Sequence, residues 1–203
     1  MFYEKYELRG DRMKELSLEE LWQLYPIVLK EHNPKYQSWY NEEERRLRHL
    51  LHAYDLCRIH HIGSTSVKGL IAKPTIDILL ELHKNYAVNE IAQLLQADDW
   101  ILMQRDDKQR TLDLGKGYLP DGFAERVYHL HVKPLGDWDE LYFRDYLRQY
   151  PAVARQYEAL KLELKEKFEH NRDAYTYAKT EFVKEQSQKA KVEFAGRYLP
   201  DED

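Results

Sequence analysis

The strongest constraint on this chain is a single acid inside an apolar run. Thr75 to Leu82 reads as a strand, and Ile76, Ile78, Leu79 and Leu80 make it apolar on both faces. A strand of that kind belongs in the middle of a sheet. Asp77 interrupts it, and a carboxylate placed there is costly unless it meets a cation, a metal or hydrogen-bond donors. Just upstream, Arg58 to Ile62 reads as a short strand. It leads into Gly63-Ser64-Thr65-Ser66, then a short helix from Thr65 to about Leu70, with Pro74 ending the connection. A turn that opens a helix presents unpaired amides and the positive end of the dipole, which suits a phosphate. An acid on the next strand could hold a divalent ion against that phosphate. This order of elements is the layout of a phosphoryl- or nucleotidyl-transfer site.

Around this centre the chain reads as helix, then α/β, then helix. Ser17 and Glu20 form a capping box for a helix carrying Leu18, Leu21, Trp22, Tyr25, Val28 and Leu29. Asn41 is expected to cap a second helix that runs to about Tyr54. Residues 1–11 show no strong pattern and are expected to form a mobile or loosely packed arm. A helix from Asn89 to Ala97 precedes strands expected at Trp100 to Gln104 and Lys108 to Leu114. The glycines between Gly115 and Gly122 point to a loop, and Arg126 to Lys133 to a further strand. From Asp139 the pattern is helical. Pro151 sits near a helix start, and Asp173 begins a third helix with a polar tail after Gln186. No linker rich in Gly, Ser and Pro divides the chain. The expected organisation is one unit over 1–203: N-terminal helices over 1–56, an α/β core over 57–136 and a helical extension over 137–203.

Composition narrows the functional classes. Hydrophobic residues make up 43% of the 203, charged residues 33%, and the net charge is −5. That describes a charge-rich globule without an overall basic signature, so nucleic acid is not the expected partner. Sixteen tyrosines are spread along the chain, which fits aromatic packing of helices better than a base-stacking surface. Cys57 is the only cysteine, which excludes an internal disulfide and a multi-cysteine zinc site, and it is expected to be a small buried hydrophobe. Charges between Glu4 and Lys14 break any signal-peptide pattern, and no apolar run reaches bilayer length. A cytoplasmic protein with no membrane partner is expected.

The candidate site follows from residue type and spacing. Gly63 permits a tight turn and close ligand approach. Ser64, Thr65 and Ser66 could cap the turn or donate hydroxyls to a phosphate. Lys68 and Lys73 add positive charge, although the glycine spacing is not that of a P-loop. His129 and His131 share one strand face, roughly 6–7 Å apart at Cα, and could bind a transition metal or act as acid and base. Arg144, Arg148, Lys161 and Lys179 are cations that a helical extension could fold back over the turn.

The run His61-Ile-Gly-Ser-Thr-Ser-Val-Lys-Gly-Leu-Ile-Ala-Lys-Pro-Thr-Ile-Asp77 resembles the signature of the GrpB-like family of the nucleotidyltransferase superfamily. Pro34 with Trp39, His129-Leu-His131, Phe143-Arg-Asp-Tyr-Leu-Arg148, Tyr157 with Lys161, and Tyr177-Ala-Lys179-Thr-Glu-Phe182 agree with it. The resemblance implies a nucleotidyltransferase-like mixed sheet with flanking helices and a helical C-terminal extension. It implies nucleotide phosphates at Gly63 and Ser64, and a first metal-binding carboxylate at Asp77. A second carboxylate would stand two residues on, where this chain has Leu79. The third is not evident, and His129 and His131 occupy the strand that might carry it. The expected ligands are a nucleoside triphosphate or other phosphorylated small molecule and a divalent ion (Mg, Mn or Zn). The acceptor stays open, as does the choice between a transferase, a nucleotide- or anion-binding module without catalysis, and a helical interaction scaffold.

Overall fold

The computed structural model describes residues 17–200, and the expectation for 1–11 lies outside them. Helix α1 is Leu18–Leu24, closed at its start by the expected Ser17–Glu20 capping box. It stops before Pro26, so the helical spacing up to Leu29 does not continue as helix. Helix α2 spans Tyr36–Leu50, with Asn41 inside it instead of at its cap. Burial of Tyr36, Trp39, Tyr40, Glu43 and Leu47 on one face carries the helix back beyond the acidic turn that suggested a start.

Five strands follow: β1 Leu56–Ile62, β2 Thr75–Leu82, β3 Ile101–Asp106, β4 Thr111–Leu119 and β5 Gly122–Pro134. They form one mixed sheet in the order β1-β2-β5-β4-β3. Only β2 and β5 run parallel; the other neighbours are antiparallel. Strand β2 is therefore interior, as its apolar run requires. Helix α3, Val88–Ala97, crosses between β2 and β3.

The two faces of the sheet differ in chemistry. On one, Ile76, Ile78, Leu80, Leu112, Leu114, Leu130 and Val132 pack with Tyr36, Trp39 and Leu47 of α2 and Ile91 and Leu95 of α3. Burying each such side chain stabilises the fold by about 1.5–3 kcal/mol before chain entropy. The other face carries Asp77, Leu79 and Glu81 beside their β5 partners His129, His131 and Lys133. Its cover is the C-terminal extension: α4 Asp139–Gln149, α5 Pro151–Phe168, α6 Arg172–Ala178 and α7 Thr180–Glu193.

Three departures from the sequence reading shape this polar face. The expected helix after Gly63 is a single 3-10 turn, Ser64–Ser66. The expected loop after Gly115 is instead a hairpin, with β4 running to Leu119 and β5 starting at Gly122. Within it the pairing slips between Lys116 and Tyr118. Gly117 sits at φ +90°, where an added Cβ would lie 2.2 Å from the Arg126 carbonyl oxygen. Lys116, before the bulge, keeps the alternation and reaches Glu43 of α2, whereas the bulge flips Tyr118 round beside His129. Finally, the expected third helix is broken at Lys179 into α6 and α7, and α7 continues through the polar tail to Glu193. Phe194 beyond it is buried, and Arg58 binds the Tyr198 carbonyl, so the tail is docked. Cys57 is exposed, contrary to expectation, because it falls at the β1 irregularity between Leu56 and Arg58.

Candidate functional site

The polar sheet face and the helical extension enclose a cavity of about 1020 Å³. Gly63, Ser64, Lys73, Asp77, His129, His131, Lys161 and Lys179 all line it. Gly63 adopts φ +66°, ψ −176°, a conformation that favours glycine. Asp77 lies so close that a Cβ at position 63 would stand 2.1 Å from Asp77 Oδ2. The glycine is thus what lets the turn and the acid share one site.

Two imidazole–carboxylate pairs lie side by side. His129 Nδ1 is 3.3 Å from Asp77 Oδ1. His131 Nδ1 is 2.6 Å from Oδ1 of Asp113, its pairing partner on β4. Burial dominates at His129 and lowers its pKa to about 4, against the pull of Asp77. Burial would raise the pKa of Asp77, but the neighbouring histidines and Lys73 overcome this and hold it below the usual range. At neutral pH this pair is therefore a carboxylate facing a neutral imidazole. Its Nε2 is 2.5 Å from the Tyr118 hydroxyl. With Nδ1–H directed at Asp77, Nε2 is the acceptor and Tyr118 the donor. At His131, burial lowers the pKa, but the Asp113 hydrogen bond and charge outweigh it and the net shift is upward. The Asp113 carboxylate thus favours the charged form of the His131 ring beside it.

Three cations from the extension face this centre, each over an aromatic ring. Lys161 Nζ is 4.8 Å from the Tyr157 ring, Lys179 Nζ 4.2 Å from the Tyr175 ring, and Arg172 Cζ 5.7 Å from the Tyr118 ring. Lys161 also donates to Ser64 Oγ at 3.2 Å and to the Ile71 carbonyl. Arg172 donates to the Tyr118 hydroxyl at 3.3 Å. Burial, reinforced by the neighbouring Lys179, lowers Lys161 to about 7. Burial lowers Lys179 to about 8, with Arg172 adding to it against the pull of Asp77. Lys73 is pushed well below its ordinary value by burial and then by Arg172. Desolvated cations held this close together are stabilised by an anion with several charges.

Other sequence candidates are placed elsewhere. Thr65 is buried, with its hydroxyl donating to the Thr75 carbonyl and meeting His61 Nε2. Ser66 donates to the Gly63 carbonyl, so both residues shape the turn. Lys68 is exposed and away from the cavity lining. Arg144 is buried against the His61 carbonyl, Asp145 and Tyr198, while Arg148 binds the Ser66 carbonyl. These two arginines clamp the turn from behind.

Three residues escaped the sequence reading. Asp113 was detectable in principle, because Leu112 and Leu114 turn it to the opposite face. Tyr118 was hidden by the bulge. Arg172 stands just before Asp173, the expected helix start, and nothing in its neighbours marks it.

The carboxylate set implied by the resemblance is incomplete. Leu79 is fully buried with Ile62 and Leu141, and Asp113 is held by His131. Among the described residues, no group of three or more His, Cys, Asp or Glu side chains is arranged to hold a metal ion. Asp77 is the carboxylate of the β2 strand that faces the cavity. No helix among the described residues is long and apolar enough to cross a membrane.

The fold and site together define a class: an α+β protein with a five-stranded mixed sheet whose polar face is roofed by C-terminal helices. Residues 26–189 match the profile of the family described as GrpB protein, and the chain belongs to that family. It is 32% identical over 185 residues to UPF0157 protein YqkA of Bacillus subtilis, covering 87% of this chain and 52% of that one. The chain thus spans about half the length of that relative. It is 31% identical over 169 residues to glutamate-rich protein GrpB of Alkalihalophilus pseudofirmus, covering 78% of this chain and 92% of the relative. The crystal structure of conserved protein GrpB from Enterococcus faecalis superposes with a TM-score of 0.70 at 27% identity, covering 82% of this chain and 99% of that one.

Proposed function

We propose that this protein binds a nucleotide or related polyphosphate at the Gly63–Ser64 turn and transfers its nucleotidyl or phosphoryl group to an acceptor. The observation that carries this reading is the convergence of Lys73, Lys161, Lys179 and Arg172 with that turn in one cavity around Asp77. A triphosphate carries about enough charge to answer such a cluster, and the same groups would stabilise charge moving onto the leaving phosphate. The hydroxyl oxygen of an acceptor would attack phosphorus and break its bond to the bridging oxygen, so that pyrophosphate leaves in nucleotidyl transfer or the nucleoside diphosphate in phosphoryl transfer. The acceptor proton would pass to Tyr118 Oη as the Tyr118 proton passes to His129 Nε2. The resulting imidazolium would face Asp77. Where a divalent ion accompanies the phosphates, Asp77 would hold it, and the ion would polarise the phosphoryl oxygens.

Leu79 favours a second reading, a binding module that holds the same ligand without transfer. The two separate on one substitution. Asp77→Asn abolishes release of pyrophosphate or phosphate from nucleoside triphosphates if the protein is a transferase, with the fold intact. In the binding module it leaves binding equal or tighter, because a negative charge beside the phosphates is gone. The test measures turnover with and without divalent ions and an acceptor panel. Calorimetric titration of Lys161→Met and Lys179→Met runs alongside it. Unchanged affinity in both lysine variants would remove the phosphate site from the proposal.

A further inference from the structure

Helix α1 contributes a second, chemically different wall to the same cavity. Leu18, Leu21 and Trp22 line it, together with Met103 of β3. The helix has four apolar residues in seven, yet none of its residues is buried. Its polar residues Glu19, Glu20 and Gln23 are exposed. The apolar stripe is therefore turned toward the cavity and only partly covered. It is tied to the sheet through Leu21 and Leu24, which pack with Tyr25, Tyr118, Phe123 and Met103. Tyr118 stands at the junction, touching Tyr25 at 5.2 Å between ring centres on the apolar side and Arg172 on the cationic side. One cavity thus has a cationic region and an apolar, aromatic region that meet at Tyr118.

From this polarity we infer that the ligand is a phosphate ester with a flat, weakly polar body, its phosphates among Lys161, Lys179 and Arg172 and its body against Leu18, Trp22 and Met103. The inference rests on the phosphate-binding reading and adds the class of group that the phosphates carry. Leu18, Leu21, Trp22 and Met103 offer aliphatic, thioether and indole surface, which recognises a body by contact and stacking. A nucleoside and an aryl alcohol satisfy this chemistry alike.

The test titrates the full chain with tripolyphosphate, ATP, UTP, 1-naphthyl phosphate and inorganic phosphate, and follows amide exchange across 18–24. ATP is expected to bind at least about tenfold tighter than tripolyphosphate, as stacking of one aromatic body implies. ATP and UTP should agree within about threefold if nucleosides are read by contact. Tighter binding of 1-naphthyl phosphate than of either nucleotide, relative to its phosphate-only control, would assign the body to an aryl alcohol. Slowed exchange in α1 should follow ATP and not tripolyphosphate. Trp22→Ala and, as a milder change, Leu18→Gln should lower ATP affinity about tenfold and leave tripolyphosphate affinity unchanged. Equal binding of ATP and tripolyphosphate, with α1 exchange unaltered, overturns the inference while the phosphate site stands. Failure of every phosphate probe to bind overturns both.

Discussion

Gly63 and Asp77 occupy space that no other residue at position 63 could share: a Cβ there would lie 2.1 Å from Oδ2 and 2.9 Å from Cγ of the acid. The glycine conformation, at φ +66°, adds backbone strain to any replacement. Gly63→Ala is expected to destabilise the protein by about 1–3 kcal/mol and to displace Asp77 from the cavity. Urea unfolding and tripolyphosphate titration check this. Adding Asp77→Ala should recover part of the stability, since it removes the clash and leaves the φ strain. No recovery would mean that the strain alone accounts for the loss.

Arg58 and Glu81 bind in parallel, with Arg58 Nε 2.9 Å from Oε2 and Nη2 2.7 Å from Oε1. Glu81 is fully buried and also accepts the Gly136 amide at 3.1 Å. Arg58 further donates to the carbonyls of Gly136 and Tyr198, so it joins β1 to the start and the end of the helical extension. Arg58→Met leaves a buried carboxylate with one remaining donor and is expected to cost about 3 kcal/mol or more. Amide exchange near residues 194–198 should rise in the variant before that of β2. Uniform acceleration throughout the chain would contradict the anchoring role.

The His131–Asp113 pair gives a stability signature in pH. Asp113 is held below its ordinary 3.8 because the His131 hydrogen bond and charge outweigh burial, which would raise it. His131 is raised above 6.5. The His131 contribution is fully present below about 6.5 and is lost as pH rises through its folded value. The Asp113 contribution is present above about 3.8 and is lost as pH falls through its folded value. The pair therefore stabilises most between about pH 4 and 6.5. Asp113→Asn should flatten stability against pH on the alkaline side of that window. It should also lower the pKa of the His131 imidazole, since the Asp113 hydrogen bond and charge that raise it are gone, as followed by NMR titration of the ring. An unmoved imidazole would show that another group sets its charge.

Much of this fold was written in local pattern. Thr75–Leu82 was readable as an interior strand because its neighbours on both faces are apolar, and Asp77 stood out against them. His129 and His131 were readable as face-mates by strand alternation. Tyr118 was not, because one extra residue at Gly117 reverses the alternation, and Gly115, Gly117 and Pro120 look like loop punctuation. The arginines failed for a different reason. Arg144, Arg148 and Arg172 are all cations on helices, and only long-range docking decides that the first two hold backbone carbonyls behind the turn while the third enters the cavity. Charge is visible in a sequence, whereas the face to which a docked helix turns it is a tertiary property.

Proton uptake should accompany anion binding. The folded protein holds Lys161 near 7 and Lys179 near 8, each below its ordinary 10.5. Between about pH 7 and 10.5 the unfolded chain then binds more protons than the folded one, so these lysines make stability rise with pH in that window. A polyphosphate reverses the effect by favouring the charged lysines, and their folded pKa values climb toward the ordinary one. Binding at pH 8 must therefore draw protons from the buffer, and affinity for tripolyphosphate must fall as pH rises from about 7 toward 9. Calorimetric titrations in two buffers of different ionisation enthalpy measure the uptake directly. Lys161→Met and Lys179→Met should each reduce the uptake, and the part lost with Lys179→Met should be larger at pH 8.5 than at pH 7.5. Binding with no proton linkage in either buffer would mean that the anion sits outside the cavity framed by Tyr157, Tyr175 and Tyr118.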